Sequence, residues 1–105
     1  RLTKKEFSSL FQSSRTFQFP LFVIKYKPSD RDYTRVAISC GLKVSKKAVE
    51  RNAIRRRLFE ASRLFLAQVR IGDYIIIVRP LPEARAFKGW VEEIQKAFTQ
   101  IASRL

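Results

Sequence analysis

The apolar run from Tyr74 to Val78, YIIIV, constrains the fold of this chain more than any other segment. Strands buried on both faces have nearly continuous apolar sequences, so the run predicts a central strand of a sheet. Gly72 and Asp73 precede it as a predicted helix stop, and Pro80 and Pro82 end it. Elements elsewhere in the chain must therefore cover both faces of that strand.

Two β segments are predicted ahead of the apolar run. Residues 21–27 alternate between two sets of positions, as in a strand with one buried face. Residues 35–42 form the second β segment, with Gly41 as a point where it can break. The polar stretch from Pro28 to Asp32 predicts a turn between them.

Three segments have helical patterns. Thr3 and Glu6 have the spacing of a capping box, which predicts a short helix to about Ser13. A basic segment from about Lys46 to Val69 predicts a long amphipathic helix, opened by Ser45. The last helical segment carries apolar residues at alternating steps of four and three: Phe87, Val91, Ile94, Phe98, Ile101 and Leu105.

The predicted order is helix, two or three strands, helix, strand, helix. Helices on a small mixed sheet make an α+β two-layer sandwich, and residues 1–105 suffice for one domain with one core. The basic helix is a crossover between two strands. Such connections are normally right-handed, and the residues themselves do not report the hand.

The charge balance concerns the partners of the protein. Lys and Arg number 22 against nine acids, a net charge of +13. Nucleic acid, an anionic membrane or an acidic protein could match this charge. The abundance of Arg favours nucleic acid, because guanidinium pairs bidentately with phosphate and stacks on bases.

Cysteine usage and hydropathy bear on the compartment. Cys40 is the single cysteine and lies in the apolar run VAISCGL, so we interpret it as an ordinary strand residue. The sequence has no signal-peptide pattern and no apolar run long enough for a transmembrane helix. We therefore expect a cytoplasmic protein with no membrane partner.

The residues available for catalysis are few. The chain has no His, and its nine acids are scattered rather than clustered. A general base at neutral pH and a two-metal nuclease centre are both disfavoured as a result. If the protein takes part in a reaction, we expect another molecule to supply the catalyst.

The basic segment 43–57 is the strongest functional signal, with seven Lys or Arg and one acid, Glu50. On a helical wheel, one arc collects apolar residues: Ile54, Leu58, Ala61 and Phe65. Asn52, Arg56 and Arg63 lie on the opposite side. One face can thus be buried while a guanidinium array points outward. Such an array repels itself unless an anion binds to it.

We expect nucleic-acid contacts from Arg51, Arg55 and Arg56. Asn52 could bond a base or sugar, or it could fix a neighbouring loop. Arg57 and Arg63 could instead pair with acids along the helix.

A second binding feature combines aromatic rings with cations. Phe7 and Phe11 of the first helix would lie near Lys25 and Lys27 of the first predicted strand. Aromatic residues belong to the core by default. Exposed rings in a groove, however, would stack on bases of a single strand without regard to its sequence.

Several ordered motifs resemble one family. Residues 48–57, AVERNAIRRR, resemble the signature A-V-x-R-N-R-x-K-R of the bacterial ribonuclease P protein subunit. Residues 35–39, RVAIS, and 73–79, DYIIIVR, resemble two of its strands, and residues 7–11, FSSLF, resemble its first helix. Lys43 stands where the family has the second Lys of a pair. The order and spacing hold across nearly the whole chain.

The resemblance implies a fold and a function. The fold would be an α-β-β-β-α-β-α sandwich, like domain 2 of ribosomal protein S5, with a left-handed crossover at the basic helix. The protein would bind the catalytic ribonuclease P RNA and the single-stranded 5′ leader of precursor tRNA. The complex would remove that leader with Mg²⁺ held mainly by the RNA. The protein would be a monomer in that complex, with no protein partner required.

The resemblance also assigns residues to two surfaces, and none to catalysis or metal binding. The surface for the RNA subunit would comprise Lys43, Lys46, Lys47, Arg51, Asn52, Arg55 and Arg56. The cleft for the leader would comprise Phe7, Phe11, Phe22, Lys25 and Arg35. Two positions depart from the family pattern: Ala53 replaces a usual Arg or Lys, and Leu42 replaces the first Lys of the pair.

Three other functions compete with this hypothesis. A structural RNA-binding protein of ribosomal type would share the composition but take no part in catalysis. A metal-dependent nuclease is disfavoured by the missing His and the dispersed acids. A helix-turn-helix DNA-binding protein needs a helix just before the recognition helix, where this sequence predicts strands.

Overall fold

A sheet covered by helices makes up the residues that the structure, a computed structural model, describes: 15–29, 31–80 and 89–104. Its strands are β1 (Arg15–Gln18), β2 (Phe22–Pro28), β3 (Arg35–Ser39) and β4 (Gly72–Val78). Its helices are α1 (Ala48–Phe65) and α2 (Trp90–Arg104), with a short 3-10 turn at Leu66–Gln68 after α1. The mixed α+β architecture predicted from the sequence is confirmed. The predicted helix over residues 3–13 lies outside the described residues.

The sheet order is β1-β2-β4-β3, so the apolar strand β4 is central. β4 pairs antiparallel with β2 and parallel with β3. Ile75 and Ile76 point to opposite faces, and both are fully buried. The prediction of a central strand buried on both faces is therefore confirmed.

Helix α1 connects the parallel neighbours β3 and β4. A hairpin cannot join parallel strands, so the chain must cross over the sheet between them. This geometry brings the basic segment across one face of the sheet. The left hand of the crossover stays a prediction from the family resemblance.

The core lies between that face and the two helices. Trp90 and Phe98 of α2 place their rings 6.4 Å from Phe22 and 6.2 Å from Tyr74, centroid to centroid. A second aromatic pair, Tyr26 and Tyr74, spans β2 and β4 at 5.0 Å. Burial of these rings supplies much of the apolar contact that holds α2 on the sheet.

Gly72 owes its position to close packing. A Cβ atom there would clash with Cε1 of Tyr26 and lie 2.8 Å from the carbonyl oxygen of Lys27. No side chain fits without moving the partner strand. Gly72 and Asp73 are the first two residues of β4, so the predicted helix stop at these residues lies beyond the observed end of the helix and its 3-10 turn.

Two element boundaries differ from the sequence prediction. Helix α1 begins at Ala48 rather than near Lys46, and its regular part ends at Phe65 rather than Val69. The residues after it tighten into the 3-10 turn. Strand β3 ends at Ser39, before the predicted break at Gly41.

Strand β1 is the third strand ahead of the basic helix, which the residue pattern left open and the family resemblance implies. Strand β1 has no strong signal, since only Phe17 of its four residues is buried. In α2, Val91 is exposed, whereas Trp90 and Ala97 are buried. The apolar stripe of α2 is therefore shifted by one residue at its start from the predicted row.

No helix among residues 15–29, 31–80 and 89–104 is long and apolar enough to cross a membrane.

Candidate RNA interface

Helix α1 presents two chemically different sides. Ile54, Leu58 and Ala61 are buried against the sheet and α2, as the helical wheel predicts. Ser62 is buried as well, and its hydroxyl donates to the carbonyl oxygen of Leu58 at 2.7 Å. The opposite side carries the arginines and faces solvent.

Two arginines of α1 bind the loop that leads into the helix. Arg55 donates from Nη1 to the carbonyl oxygen of Cys40 at 3.2 Å. Arg51 donates from Nη1 to the carbonyl oxygen of Ser45 at 3.0 Å. Both guanidinium groups are half-buried. They hold the backbone of residues 40–45 against the helix while keeping their positive charge.

Ser45 joins the same network from the loop side. Its hydroxyl donates to Oε1 of Glu50 at 2.5 Å and accepts from the backbone N–H of Lys47 at 3.2 Å. Lys47, not Ser45, is the N-cap residue, and no side chain caps the helix there. Glu50 in the first turn instead places a negative charge at the positive end of the helix dipole, which is a favourable interaction.

Asn52 is exposed and contacts Arg55. Its Oδ1 accepts from Nη2 of Arg55 at 2.6 Å. The sequence left open a contact with a base or sugar and the fixing of a neighbouring loop; within the described residues, Asn52 contacts the loop only through Arg55, which donates to the carbonyl oxygen of Cys40. The side-chain NH₂ group still provides donors that could reach a ligand.

The remaining members of the predicted RNA-subunit set lie nearby and are exposed: Lys43, Lys46, Lys47 and Arg56. The loop network brings them together with the half-buried pair Arg51 and Arg55. We call the resulting seven-residue patch the cationic surface: Lys43, Lys46, Lys47, Arg51, Asn52, Arg55 and Arg56. Its charges are close in space and same in sign, which favours a polyanionic ligand.

Cys40 lies behind this surface and is buried. Burial raises the pKa of its thiol, while the charges of Arg55 and Arg51 act in the opposite direction. The thiol is therefore a poor nucleophile at neutral pH, as expected of a structural residue.

Phe22 does not belong with the other residues predicted for the leader cleft. Alternation along β2 sends Phe22 to the helical face and Lys25 to the opposite face. Only 1% of Phe22 is exposed, and its ring packs against Phe19 and Trp90. Its assignment to a surface shared with Lys25 is wrong, because the side chain is part of the core.

Lys25 and Arg35 do share the sheet face opposite α1 and α2. Lys25 donates from Nζ to Oγ1 of Thr16, its cross-strand partner, at 3.1 Å. Arg35 forms an ion pair with Asp73, with its Nε and Nη2 donating at 2.9 and 2.7 Å. Phe7 and Phe11 lie outside the described residues.

Phe59 was not singled out from the sequence, although the helical wheel gives its position. It lies on the outer side of α1, and 45% of its surface is exposed. Arg57 and Arg63 are exposed too, and neither forms an ion pair in the part of the chain that the structure describes.

The described residues offer no cluster that could hold a metal ion. No group of three or more Asp, Glu, Cys or His side chains converges within these ranges. Asp73 is occupied by Arg35, and Glu50 accepts from Ser45. A resident Mg²⁺ does not fit the donor set of this part of the protein.

The fold and the site define a class: a small basic α+β sandwich whose crossover helix carries a cationic surface. The sequence model of the family named Ribonuclease P matches residues 1–102. The chain belongs to the ribonuclease P protein family, the protein components of a tRNA-processing endoribonuclease.

Proteins of similar sequence carry the same description. The Ribonuclease P protein component of Herpetosiphon aurantiacus is 35% identical over 101 residues, which cover 92% of this chain and 76% of that protein. That of Nitratiruptor sp. is 32% identical over 102 residues, covering 97% and 91%. That of Picosynechococcus sp. is 31% identical over 97 residues, covering 91% and 84%.

Solved structures share the fold at lower identity. The RNase P protein from Thermotoga maritima superposes with a TM-score of 0.81 at 24% identity, covering 100% of this chain and 96% of that one. The Staphylococcus aureus RNase P protein gives 0.78 at 21%, covering 99% and 92%. At these identities the likeness supports the fold alone.

Proposed function

We propose that this chain is the protein subunit of a cytoplasmic ribonuclease P, and that it binds the catalytic RNA through the cationic surface. The main support for this proposal is that the carbonyl oxygens of Ser45 and Cys40 hold Arg51 and Arg55 in place. A carbonyl oxygen is uncharged, so these contacts leave the positive charges available to a ligand. Cations fixed in this way match an ordered array of phosphates at a lower entropic cost than mobile ones.

The chemistry of the described residues supports a role without catalysis by the protein. They lack a convergent acidic cluster, and the chain has no His. The protein therefore binds and positions, and the RNA supplies the catalyst. Mg²⁺, which supports cleavage of the phosphodiester when bound, is held mainly by the RNA in this proposal.

The 5′ leader of precursor tRNA binds on the sheet face that carries Lys25. Lys25 is half-exposed there, and its ammonium group is oriented by Thr16. Arg35 contributes to this face chiefly through its ion pair with Asp73. Phe7 and Phe11 complete the cleft in the family resemblance. One copy of the protein acts in each complex, with no other protein required.

A reconstituted cleavage assay tests the proposal. The protein is mixed with a bacterial ribonuclease P RNA and a precursor tRNA at moderate Mg²⁺ and salt. We expect faster leader removal than with the RNA alone. Arg56→Ala should reduce the stimulation, because it removes an exposed charge from the cationic surface. Lys96→Ala is the matched control, since Lys96 is an exposed cation on α2.

Two other outcomes would contradict the proposal. RNA binding without any acceleration of cleavage would favour a structural RNA-binding protein. Cleavage by the protein alone would favour a nuclease that carries its own catalytic site.

The leader interaction has a separate test. Lys25→Ala should weaken binding of precursor tRNA to the complex more than binding of mature tRNA, because only the precursor has a leader. An equal loss for the two tRNAs would place Lys25 outside the leader site.

A further inference from the structure

Phe59 is an exposed aromatic ring on the arginine-bearing side of α1, whose other exposed large apolar residues are Val49 and Leu64. The other large apolar residues in the middle of the helix, Ile54 and Leu58, are 2% and 0% exposed, whereas Phe59 is 45% exposed. The ring lies on the outer side of the helix, where water covers much of it. A phenyl ring so placed is available for a contact outside the core, and the residues around it indicate the kind of contact.

The neighbours of Phe59 along the helix surface are cationic. Residues three and four positions apart on a helix have Cβ atoms about 5–6 Å apart. Of these four positions around Phe59, three carry Arg55, Arg56 and Arg63, and the fourth carries the buried Ser62. Arg55 is fixed by Cys40 and Asn52, as described above. Glu60 lies four positions after Arg56 and three before Arg63, but it forms no ion pair with either among the described residues.

The charges around the ring select its partner. An apolar protein groove over Phe59 would bury three guanidinium groups beside one acid, Glu60, and this excess of buried charge is unfavourable. A nucleotide satisfies both kinds of group, because its base stacks on a ring and its phosphates pair with Arg. Duplex RNA keeps its bases stacked inside the helix, so the base must be unpaired.

We propose that Phe59 is a stacking platform for an unpaired base of the bound RNA, and that Arg56 and Arg63 bind the flanking phosphates. The site extends the cationic surface by about two helical turns toward the C-terminus of α1. This inference rests on the proposed function, since it concerns the same RNA. It adds a contact that depends on the face of an aromatic ring.

The test measures affinity for a bacterial ribonuclease P RNA over a series of salt concentrations. Phe59→Leu keeps an apolar helix former and removes the ring. It should weaken binding about 5- to 100-fold, the range expected for loss of one stacked base. The slope of log affinity against log salt should stay that of the wild type, because no charge is lost. Arg63→Ala should instead reduce the slope by about 0.7–0.9.

Two further variants complete the design. Phe59→Trp should bind at least as well as the wild type, because indole also stacks. Val49→Ala is the matched control, an apolar truncation at an 80% exposed site on the same helix, and should bind like the wild type.

Several results would overturn the stacking site while leaving the proposed function intact. One is wild-type affinity for Phe59→Leu, and another is equally weak binding by Phe59→Trp and Phe59→Leu. Preferential binding of an acidic protein or anionic vesicles through Phe59 would also overturn it. Failure of the wild-type protein to bind the RNA would instead contradict the proposed function itself.

Discussion

Arg35 and Asp73 form a two-point ion pair between directly opposite residues of the parallel strands β3 and β4. Their side chains are only 11% and 12% exposed. The pair is thus largely removed from water and joins the edge strand of the sheet to its centre. A charge in this environment depends on its partner, because solvent can no longer stabilise it.

Asp73→Asn should therefore destabilise the protein. The substitution keeps the volume of the side chain but removes the carboxylate charge that pairs with the largely buried guanidinium of Arg35. We expect a loss of about 3–5 kcal/mol in the free energy of unfolding, measured by urea titration. The double variant Arg35→Met with Asp73→Leu should recover most of it. A loss below about 1 kcal/mol in Asp73→Asn would mean that the pair is effectively solvated.

Arg51→Ala should affect stability and RNA binding together. Its guanidinium both carries charge and binds the carbonyl oxygen of Ser45. We expect a smaller salt slope of RNA binding by about 0.7–0.9, and a loss of about 1 kcal/mol of stability from the missing hydrogen bond. Arg56→Ala is the control, since Arg56 is exposed: it should change the slope alone. If Arg51→Ala and Arg56→Ala lowered the melting temperature equally, the structural role assigned to Arg51 would be contradicted.

Phe22→Ala should unfold the protein more readily rather than weaken a binding site selectively. The ring is fully buried between Phe19 and Trp90, so truncation leaves a cavity. We expect a loss of about 3–5 kcal/mol, read from chemical denaturation. Tyr33→Ala provides the comparison, because that exposed aromatic residue lies in the turn before β3. Near-normal stability of Phe22→Ala, with selective loss of leader binding, would restore Phe22 to the cleft.

Tyr74 should make the protein sensitive to alkaline pH. Burial, followed by the proximity of Tyr26, raises the pKa of the Tyr74 hydroxyl, which donates to the carbonyl oxygen of Arg70 at 2.5 Å. The unfolded chain releases this proton near the ordinary tyrosine value of about 10, before the folded protein does. Stability from the neutral hydroxyl is therefore fully present below that pH and is lost as pH rises above it.

The measurement compares the unfolding free energies of the wild type, Tyr74→Phe and Tyr33→Phe at pH 8 and at pH values above 10. Tyr74→Phe should lower stability at pH 8, because the hydrogen bond is gone, and should show a shallower decline at high pH. Tyr33→Phe should keep the wild-type slope. Parallel declines in the wild type and Tyr74→Phe would rule out Tyr74 as the source.

Local patterns in the sequence were sufficient for the central strand and for the buried face of α1. Ile75 lies in a continuous apolar run and Ile54 on the apolar arc of a helix, and each pattern indicates burial without knowledge of the tertiary structure. Strand β1 gave no such signal, since its exposed residues have no buried alternation beyond Phe17. Its pairing with β2 depends on the tertiary structure.

The candidate site was likewise predictable from the sequence only in part. The charge of the basic segment was readable, but the contact of Arg55 with Cys40 spans 15 residues and depends on how the loop folds. The pairing of Arg35 with Asp73 spans 38 residues and requires the register of β3 on β4. Strand alternation alone, by contrast, places Phe22 and Lys25 on opposite faces of the sheet. The family resemblance assigns both to one cleft and does not take this alternation into account.

The sheet order β1-β2-β4-β3 determines when the sheet can form during synthesis on the ribosome. Strands β2 and β3 do not pair with each other, and both need β4, which is made last of the four. Until Val78 has emerged, the basic helix has no finished sheet to pack on. The arginines of α1 are therefore synthesised before the strand that completes the sheet under them.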